Sequence, residues 1–100
     1  MTDAELRIVR IYVEGRVQGV VYRAFFAQEA ERLAVAGWVR NRFDGRVEAV
    51  AAGPAAAIEA LLAAARRGPA YARIDRVREE PADETALGGR ADRFRVAPSA

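Results

Sequence analysis

Two glycines and an arginine form the first pattern in the sequence that indicates a binding or catalytic site. Gly15 and Gly19 lie four positions apart, with Arg23 four positions further on. Glycines permit backbone conformations that turn successive N–H groups toward one point, and a helix predicted to begin near Arg23 adds further unpaired N–H groups. A guanidinium also matches phosphate oxygens in a bidentate geometry. The spacing predicts a nest for a phosphate-like anion, although an ordinary turn followed by a solvated arginine fits it as well.

Asn41 is the second residue that could take part in such chemistry. An amide is not a base near neutral pH, but it can orient a water molecule through hydrogen bonds. By itself Asn41 could equally be a strand-edge amide that bonds to the backbone. Its interest therefore depends on whether the fold brings it to Arg23, eighteen positions earlier in the chain.

The composition excludes most other hydrolytic mechanisms. The 100 residues include no cysteine and no histidine, which rules out cysteine nucleophiles, histidine bases and thiolate or imidazole metal sites. The net charge of +2 suits a small anion better than a polynucleotide. Neither a signal-like N-terminal segment nor an apolar run of about 18 residues is seen, so we expect a soluble, cytoplasmic protein.

Hydropathy and turn residues predict the elements that must position these groups. The predicted elements begin with a strand over residues 6–14, a helix from Tyr22 to a cap at Gly37, and two strands over residues 38–43 and 46–52 joined by a turn at Asp44-Gly45. A helix between Pro54 and Gly68 and a strand over residues 72–79, with a bulge or an exposed edge, come next. A polar loop over residues 81–91 and a short strand at residues 94–96 follow them.

This order predicts an α+β fold, the ferredoxin-like split βαβ (βαββαβ) two-layer sandwich. In it, two helices cover one face of an antiparallel sheet, here with a short fifth strand. One domain is expected over residues 6–97, with flexible tails at residues 1–5 and 98–100. The first two strands run in the same direction, and the third lies between them. Asn41 therefore reaches the same edge of the sheet as the loop that follows Glu14, about 10 Å from it.

Two segments resemble the signatures of the acylphosphatase family. They are Gly-Arg-Val-Gln-Gly-Val-Val-Tyr-Arg at residues 15–23, and Gly-Trp-Val-Arg-Asn at residues 37–41 with Asp-Gly-Arg-Val-Glu at residues 44–48. The similarity extends from about residue 6 to residue 96. It implies the split βαβ fold and a monomeric enzyme that hydrolyses small acyl phosphates to carboxylate and inorganic phosphate. It also implies that no metal, cofactor, nucleic acid or membrane takes part.

The resemblance also implies roles for individual residues. Arg23 corresponds to the catalytic, phosphate-binding arginine, and Asn41 to the residue that orients the nucleophilic water. The backbone that cradles the phosphate would be that of Arg16, Val17, Gln18, Gly19, Val20, Val21 and Tyr22. The chain departs from the family pattern at Tyr22, where phenylalanine is commoner, and at residues 33–37, where Leu-Ala-Val-Ala-Gly replaces the more frequent Leu-Gly-Leu-x-Gly.

Two other classes of function fit parts of the sequence. Split βαβ sheets that carry arginines and aromatic residues can bind RNA, but the third predicted strand, residues 46–52, has no aromatic residue on which a base could stack. A regulatory domain that binds an anion without hydrolysing anything would keep Arg23 but could dispense with Asn41. The presence of Asn41 favours catalysis.

Overall fold

The structure is a computed structural model that describes residues 6–18, 20–88 and 93–100. Its elements are β1 (Leu6–Arg16), α1 (Val20–Arg32), β2 (Ala36–Asn41), β3 (Val47–Pro54), α2 (Ala55–Arg67), β4 (Arg73–Pro81), α3 (Glu84–Leu87) and β5 (Phe94–Val96). The sheet order is β4-β1-β3-β2-β5. The β1–β3, β1–β4 and β2–β3 pairs are antiparallel, and the short β5 lies parallel to β2. The predicted α+β split βαβ sandwich is confirmed.

The main core lies between one face of the sheet and the helices α1 and α2. Residues alternate along a strand, so Val9, Ile11 and Val13 of β1 all point into this core and are buried there. Phe26 of α1 and Leu61 of α2 pack against them. The period-two and helical patterns that predicted these elements therefore arise from a single shared core.

The edge strand β4 explains an irregular pattern in the sequence. Ile74 and Val77 are three positions apart, yet they pair with Gly15 and Val13, which are two apart on β1. The additional residue, Asp75, makes a bulge that keeps both apolar side chains on the helix-facing side. The predicted bulge and the predicted edge position are both confirmed.

The opposite face of the sheet carries a smaller apolar cluster under α3. Trp38, Val50 and Leu87 form it, and the indole Nε1 of Trp38 donates a hydrogen bond of 2.9 Å to the Ala86 carbonyl. The prediction of a polar loop over residues 81–91 was wrong for α3. A helix of four residues is too short to show periodicity, and its position depends on the distant Trp38.

The end of α1 also differs from the prediction. Ala34 takes the left-handed conformation, with a φ of 59°, and Val35 N donates to Ala30 O at 2.9 Å. Gly37, the predicted cap, instead lies in β2 with a φ of 139°. A Cβ there would come within 1.9 Å of the Val50 carbonyl oxygen. The glycine is therefore required by close strand packing, and the helix cap is an alanine.

This alanine cap leads to a stability prediction. The left-handed conformation costs a residue with a Cβ about 1 to 2 kcal/mol, while the greater freedom of glycine in the unfolded chain offsets roughly 0.5 to 1 kcal/mol. We expect Ala34→Gly to raise the free energy of unfolding by about 0.5 to 1 kcal/mol in urea denaturation. Ala63→Gly, at an exposed position inside α2, is the matched control and should lose about 1 kcal/mol. Equal losses in both variants would contradict the strain at Ala34.

Candidate active site

The strand register places Asn41 near the end of β1 from which the chain leaves the sheet. Val47 on the intervening β3 pairs with Val13 on one side and with Asn41 on the other. Asn41 is thus level with Val13, two strand spacings away, or about 10 Å. β1 continues to Arg16 and α1 begins at Val20, so the connecting loop is only three residues long. Asn41 and this loop lie at the same edge of the sheet, as predicted.

Gly15 fixes the point at which the chain leaves the sheet. Its φ is 134°, and a Cβ at this position would lie 2.0 Å from the Arg73 carbonyl oxygen. No other residue fits there without moving the backbone of β4. Gly19, the second predicted glycine of the nest, lies outside the described residues.

Gln18 connects the loop to the β2–β3 hairpin. Its Nε2 donates to the Arg46 carbonyl at 3.0 Å and, at 3.4 Å, to the Arg42 carbonyl. The hairpin turns at Asp44-Gly45, as the sequence predicts, and Asp44 accepts hydrogen bonds from the backbone N–H and the guanidinium of Arg46. The side chain of Gln18 is therefore used for structure, and its backbone is the part available to a ligand.

Asn41 lies on the helix-facing side of the sheet, and only 7% of it is exposed. Its backbone is held by the C-terminal segment, since Ala100 N donates to Asn41 O at 3.0 Å and Phe43 N donates to Ala100 O at 2.7 Å. Its side-chain Oδ1 is buried and accepts no hydrogen bond from residues 6–18, 20–88 or 93–100. Buried amide oxygens are normally satisfied, so this oxygen is a strong candidate acceptor for a ligand or a water.

Arg23 is half-buried at the start of α1. The first turn of that helix carries no acidic side chain, so no carboxylate of α1 competes for the positive N-terminal end. The neighbouring Tyr22 points into the core, where its hydroxyl donates to the Ala65 carbonyl at 2.9 Å. Burial raises the pKa of Tyr22, which keeps the phenol protonated as a donor. Tyr22, at the position where the resemblance would imply phenylalanine, thus joins α1 to α2.

The other residues of the predicted cradle differ in exposure. Val17 is buried in the core, whereas Arg16, Gln18 and Val21 are exposed. None of these side chains is needed for a cradle of backbone N–H groups, because the first four N–H groups of α1 have no partner within the helix. The cradle remains a prediction, and so does the convergence of the Arg23 and Asn41 side chains on this edge of the sheet.

A buried carboxylate on the opposite face was missed by the sequence reasoning. Glu48, 1% exposed, accepts hydrogen bonds from Arg10, from Arg40 Nε at 2.9 Å and from Arg42 Nη1 at 3.2 Å. Burial alone would raise the pKa of Glu48, but the hydrogen bonds from Arg40 and Arg10 outweigh it, and the pKa lies below its ordinary value. The Arg-Asn-Arg run at residues 40–42 is the feature of the sequence that could have indicated this cluster. Residues alternate along a strand, so both arginines point away from the face that Asn41 occupies.

The described part of the chain contains no group of three or more carboxylates placed to hold a metal ion. In the same residues, no helix is long and apolar enough to cross a membrane.

Comparisons with known proteins agree on one family. The acylphosphatase family profile matches residues 9–96. An acylphosphatase of Rhodopseudomonas palustris (strain BisB18) is 50% identical over 95 residues, which cover 92% of this chain and 96% of the relative. The crystal structure of acylphosphatase from Bacillus subtilis superposes with a TM-score of 0.77 at 38% identity, covering 93% of this chain and 99% of that one. An acylphosphatase from Coxiella burnetii gives 0.84 at 32% identity, covering 97% and 100%.

Proposed function

The chain belongs to the acylphosphatase family and hydrolyses acyl phosphates, and on that premise we propose that Arg23, Asn41 and the loop from Arg16 to Tyr22 form its catalytic site. The reaction would need no metal and would yield a carboxylate and inorganic phosphate. The observation that carries this assignment is the buried Oδ1 of Asn41, a residue level with Val13 of β1, because this oxygen has no hydrogen-bond donor in the described part of the chain.

The phosphate would be held by the loop and by Arg23. Phosphoryl transfer asks the protein mainly for positioning and for stabilisation of charge on the equatorial phosphate oxygens. Backbone N–H groups at the start of α1 and the guanidinium of Arg23 supply both, because they are fixed donors that need no reorganisation during the reaction. The arginine at a helix N-terminus, unfavourable by itself, is stabilised when an anion lies between it and the N–H groups.

The water would be held by Asn41. Its Oδ1 can accept a hydrogen bond from the nucleophile and so direct an oxygen lone pair of the water toward phosphorus, in line with the leaving carboxylate. The backbone groups of Asn41 and Phe43 are hydrogen-bonded to Ala100, which limits how far this amide can move. An amide does not take the proton, so Asn41 acts by orientation alone.

The leaving group needs no acid, because a carboxylate with a pKa near 4 departs without protonation. We propose that the proton of the water passes to a phosphate oxygen of the substrate. Glu48 and Asp44 are poor rivals as bases, since hydrogen bonds from arginines hold both pKa values below the ordinary range of a carboxyl. Glu14, in the open cavity of about 530 Å³ beside Gly15, is the carboxylate to test. An acidic limb in the rate profile that disappears in Glu14→Gln would overturn the substrate-assisted step.

We further propose a single catalytic domain over residues 6–97 that works as a monomer in the cytoplasm, without nucleic acid or membrane partners. The proposed site uses residues of one chain only. A small phosphorylated substrate also matches the weak net charge of +2 better than a polyanion does.

The wild-type reaction is the first test of this proposal. We expect the purified protein to hydrolyse benzoyl phosphate at the same rate with and without excess EDTA, measured by the loss of the acyl phosphate absorbance. A rate that vanishes in EDTA and returns with Mg²⁺ would contradict the metal-independent mechanism. No turnover under either condition would favour the rival anion-binding domain, and binding of inorganic phosphate would then be measured by calorimetry.

A further inference from the structure

A groove of about 200 Å³ beside the phosphate loop has no part in the chemistry proposed above. One wall is formed by residues 16–18 together with Val21 and Tyr22. The facing wall is the turn between α2 and β4, with Pro69, Tyr71 and Ala72. The groove therefore shares its first wall with the loop that is proposed to hold the phosphate.

The facing wall is preformed. Ala72 N donates to Pro69 O at 3.1 Å, and Gly68 N donates to Ala64 O at 2.9 Å. β4 then begins at Arg73, which pairs with Arg16 at the end of β1. The turn that carries Tyr71 is thus anchored at both ends, and its distance from the phosphate loop is set by the sheet.

Both walls present uncovered apolar side chains. Tyr71 is 85% exposed and Val21 is 54% exposed. Both are uncharged side chains that lie next to the loop. Val21 stands two residues before Arg23. An apolar group that bound between them would bury its surface away from water, and an aromatic group would also gain a ring contact with Tyr71.

We propose that this groove is the subsite for the acyl group of the substrate and that it favours apolar acyl groups, aromatic ones above all. This inference rests on the proposed function. The acyl carbon is one oxygen atom away from the phosphorus, so the body of the acyl group must lie within a few ångströms of the loop that holds the phosphate. Loop residues that line both the phosphate cradle and an apolar groove therefore place the groove where the acyl group has to go.

Two substrates separate this subsite from the catalytic machinery. Benzoyl phosphate carries a ring that can fill the groove, and acetyl phosphate has only a methyl group. We expect Tyr71→Ala to lower kcat/KM for benzoyl phosphate by about fivefold more than for acetyl phosphate, chiefly through KM, because the ring contact stabilises substrate and transition state alike. Tyr71→Phe keeps the ring and should keep the preference. Leu6→Ala, which removes another exposed apolar side chain at the far end of β1, should leave both rates unchanged.

Each outcome of this comparison has a distinct meaning. An unchanged ratio of the two kcat/KM values in Tyr71→Ala would overturn the subsite and leave the hydrolytic function standing. A wild-type preference for succinyl phosphate, whose acyl group ends in a carboxylate, would also overturn it and would point to recognition by Arg16. Failure of the wild type to hydrolyse any of the three substrates would remove the proposed function itself.

Discussion

Arg23→Ala is expected to lower kcat for benzoyl phosphate by about a thousandfold. An arginine that stabilises the charge of a transferring phosphoryl group contributes roughly 10³ to 10⁵ in rate in other phosphoryl-transfer enzymes. The loss should appear in binding as well, because Arg23 would contact the same oxygens in the ground state. Inorganic phosphate, the product, should therefore inhibit the variant much more weakly than the wild type.

The matching change at the water site, Asn41→Ala, is expected to lower kcat by about a hundredfold with little change in KM. Misplacing a nucleophile by about 1 Å is enough for such a loss. Inhibition by phosphate should stay as in the wild type, since Asn41 would act on the water and leave the phosphate contacts intact. Inhibition by phosphate should be weakened in Arg23→Ala and unchanged in Asn41→Ala, and this difference assigns the two roles.

Arg66→Ala is the control for charge and folding in this pair. Arg66 is an exposed arginine in the last turn of α2, so its removal changes the net charge by the same amount as the loss of Arg23. It should turn over benzoyl phosphate like the wild type, and all three variants should show wild-type circular dichroism. Wild-type kcat in a folded Arg23→Ala or Asn41→Ala would remove that residue from the mechanism.

The second large effect concerns stability and the buried Glu48. Glu48→Ala removes the carboxylate shared by Arg10, Arg40 and Arg42, which leaves three guanidinium groups facing one another across the sheet. Losing one partner of a buried ion pair costs about 3 to 5 kcal/mol, and the lower end applies because the arginines are partly exposed. We expect a loss of about 3 kcal/mol in the free energy of unfolding, or roughly 10 to 20 °C in Tm.

Glu59→Ala provides the matched control for this loss. Glu59 also pairs with an arginine, Arg7, at 2.8 Å, but 62% of its side chain is exposed. Such surface pairs contribute about 0 to 1 kcal/mol, so this variant should unfold almost like the wild type. A similar loss of stability in both variants would contradict the role assigned to burial.

The pH dependence of stability gives an independent check on Glu48. Its pKa in the folded protein lies below the ordinary value of 4.5, so the unfolded chain binds the proton first as the pH falls. The resulting stabilisation is present above pH 4.5 and is lost as the pH drops through the folded pKa. Glu48→Gln should lose less stability than the wild type over that acidic window, measured by urea denaturation. Parallel curves would mean that Glu48 does not titrate differently in the two states.

Local patterns in the sequence predicted every strand and helix except α3, together with their order along the chain. The apolar residues of β1 at period two, the helical pattern around Phe26 and the Asp44-Gly45 turn are local signals, and each predicted the structure that is observed. The direction of the strands then placed Asn41 near the loop before Arg23, because a split βαβ order leaves little freedom in topology. Local patterns were sufficient wherever one element buries one face against a single core.

Features that depend on residues distant in the chain became visible only in the folded structure. In the sequence, Gly37 could not be distinguished from a helix cap. The structure shows that a Cβ at this position would lie 1.9 Å from the Val50 carbonyl oxygen of β3. The contacts of Gln18 with the hairpin, the pairing of the buried Glu48 with Arg10 and the groove between Val21 and Tyr71 each join segments that lie far apart in sequence. Their geometry is fixed by register and packing between elements. A residue pattern within one segment does not indicate which segment lies next to it in the sheet.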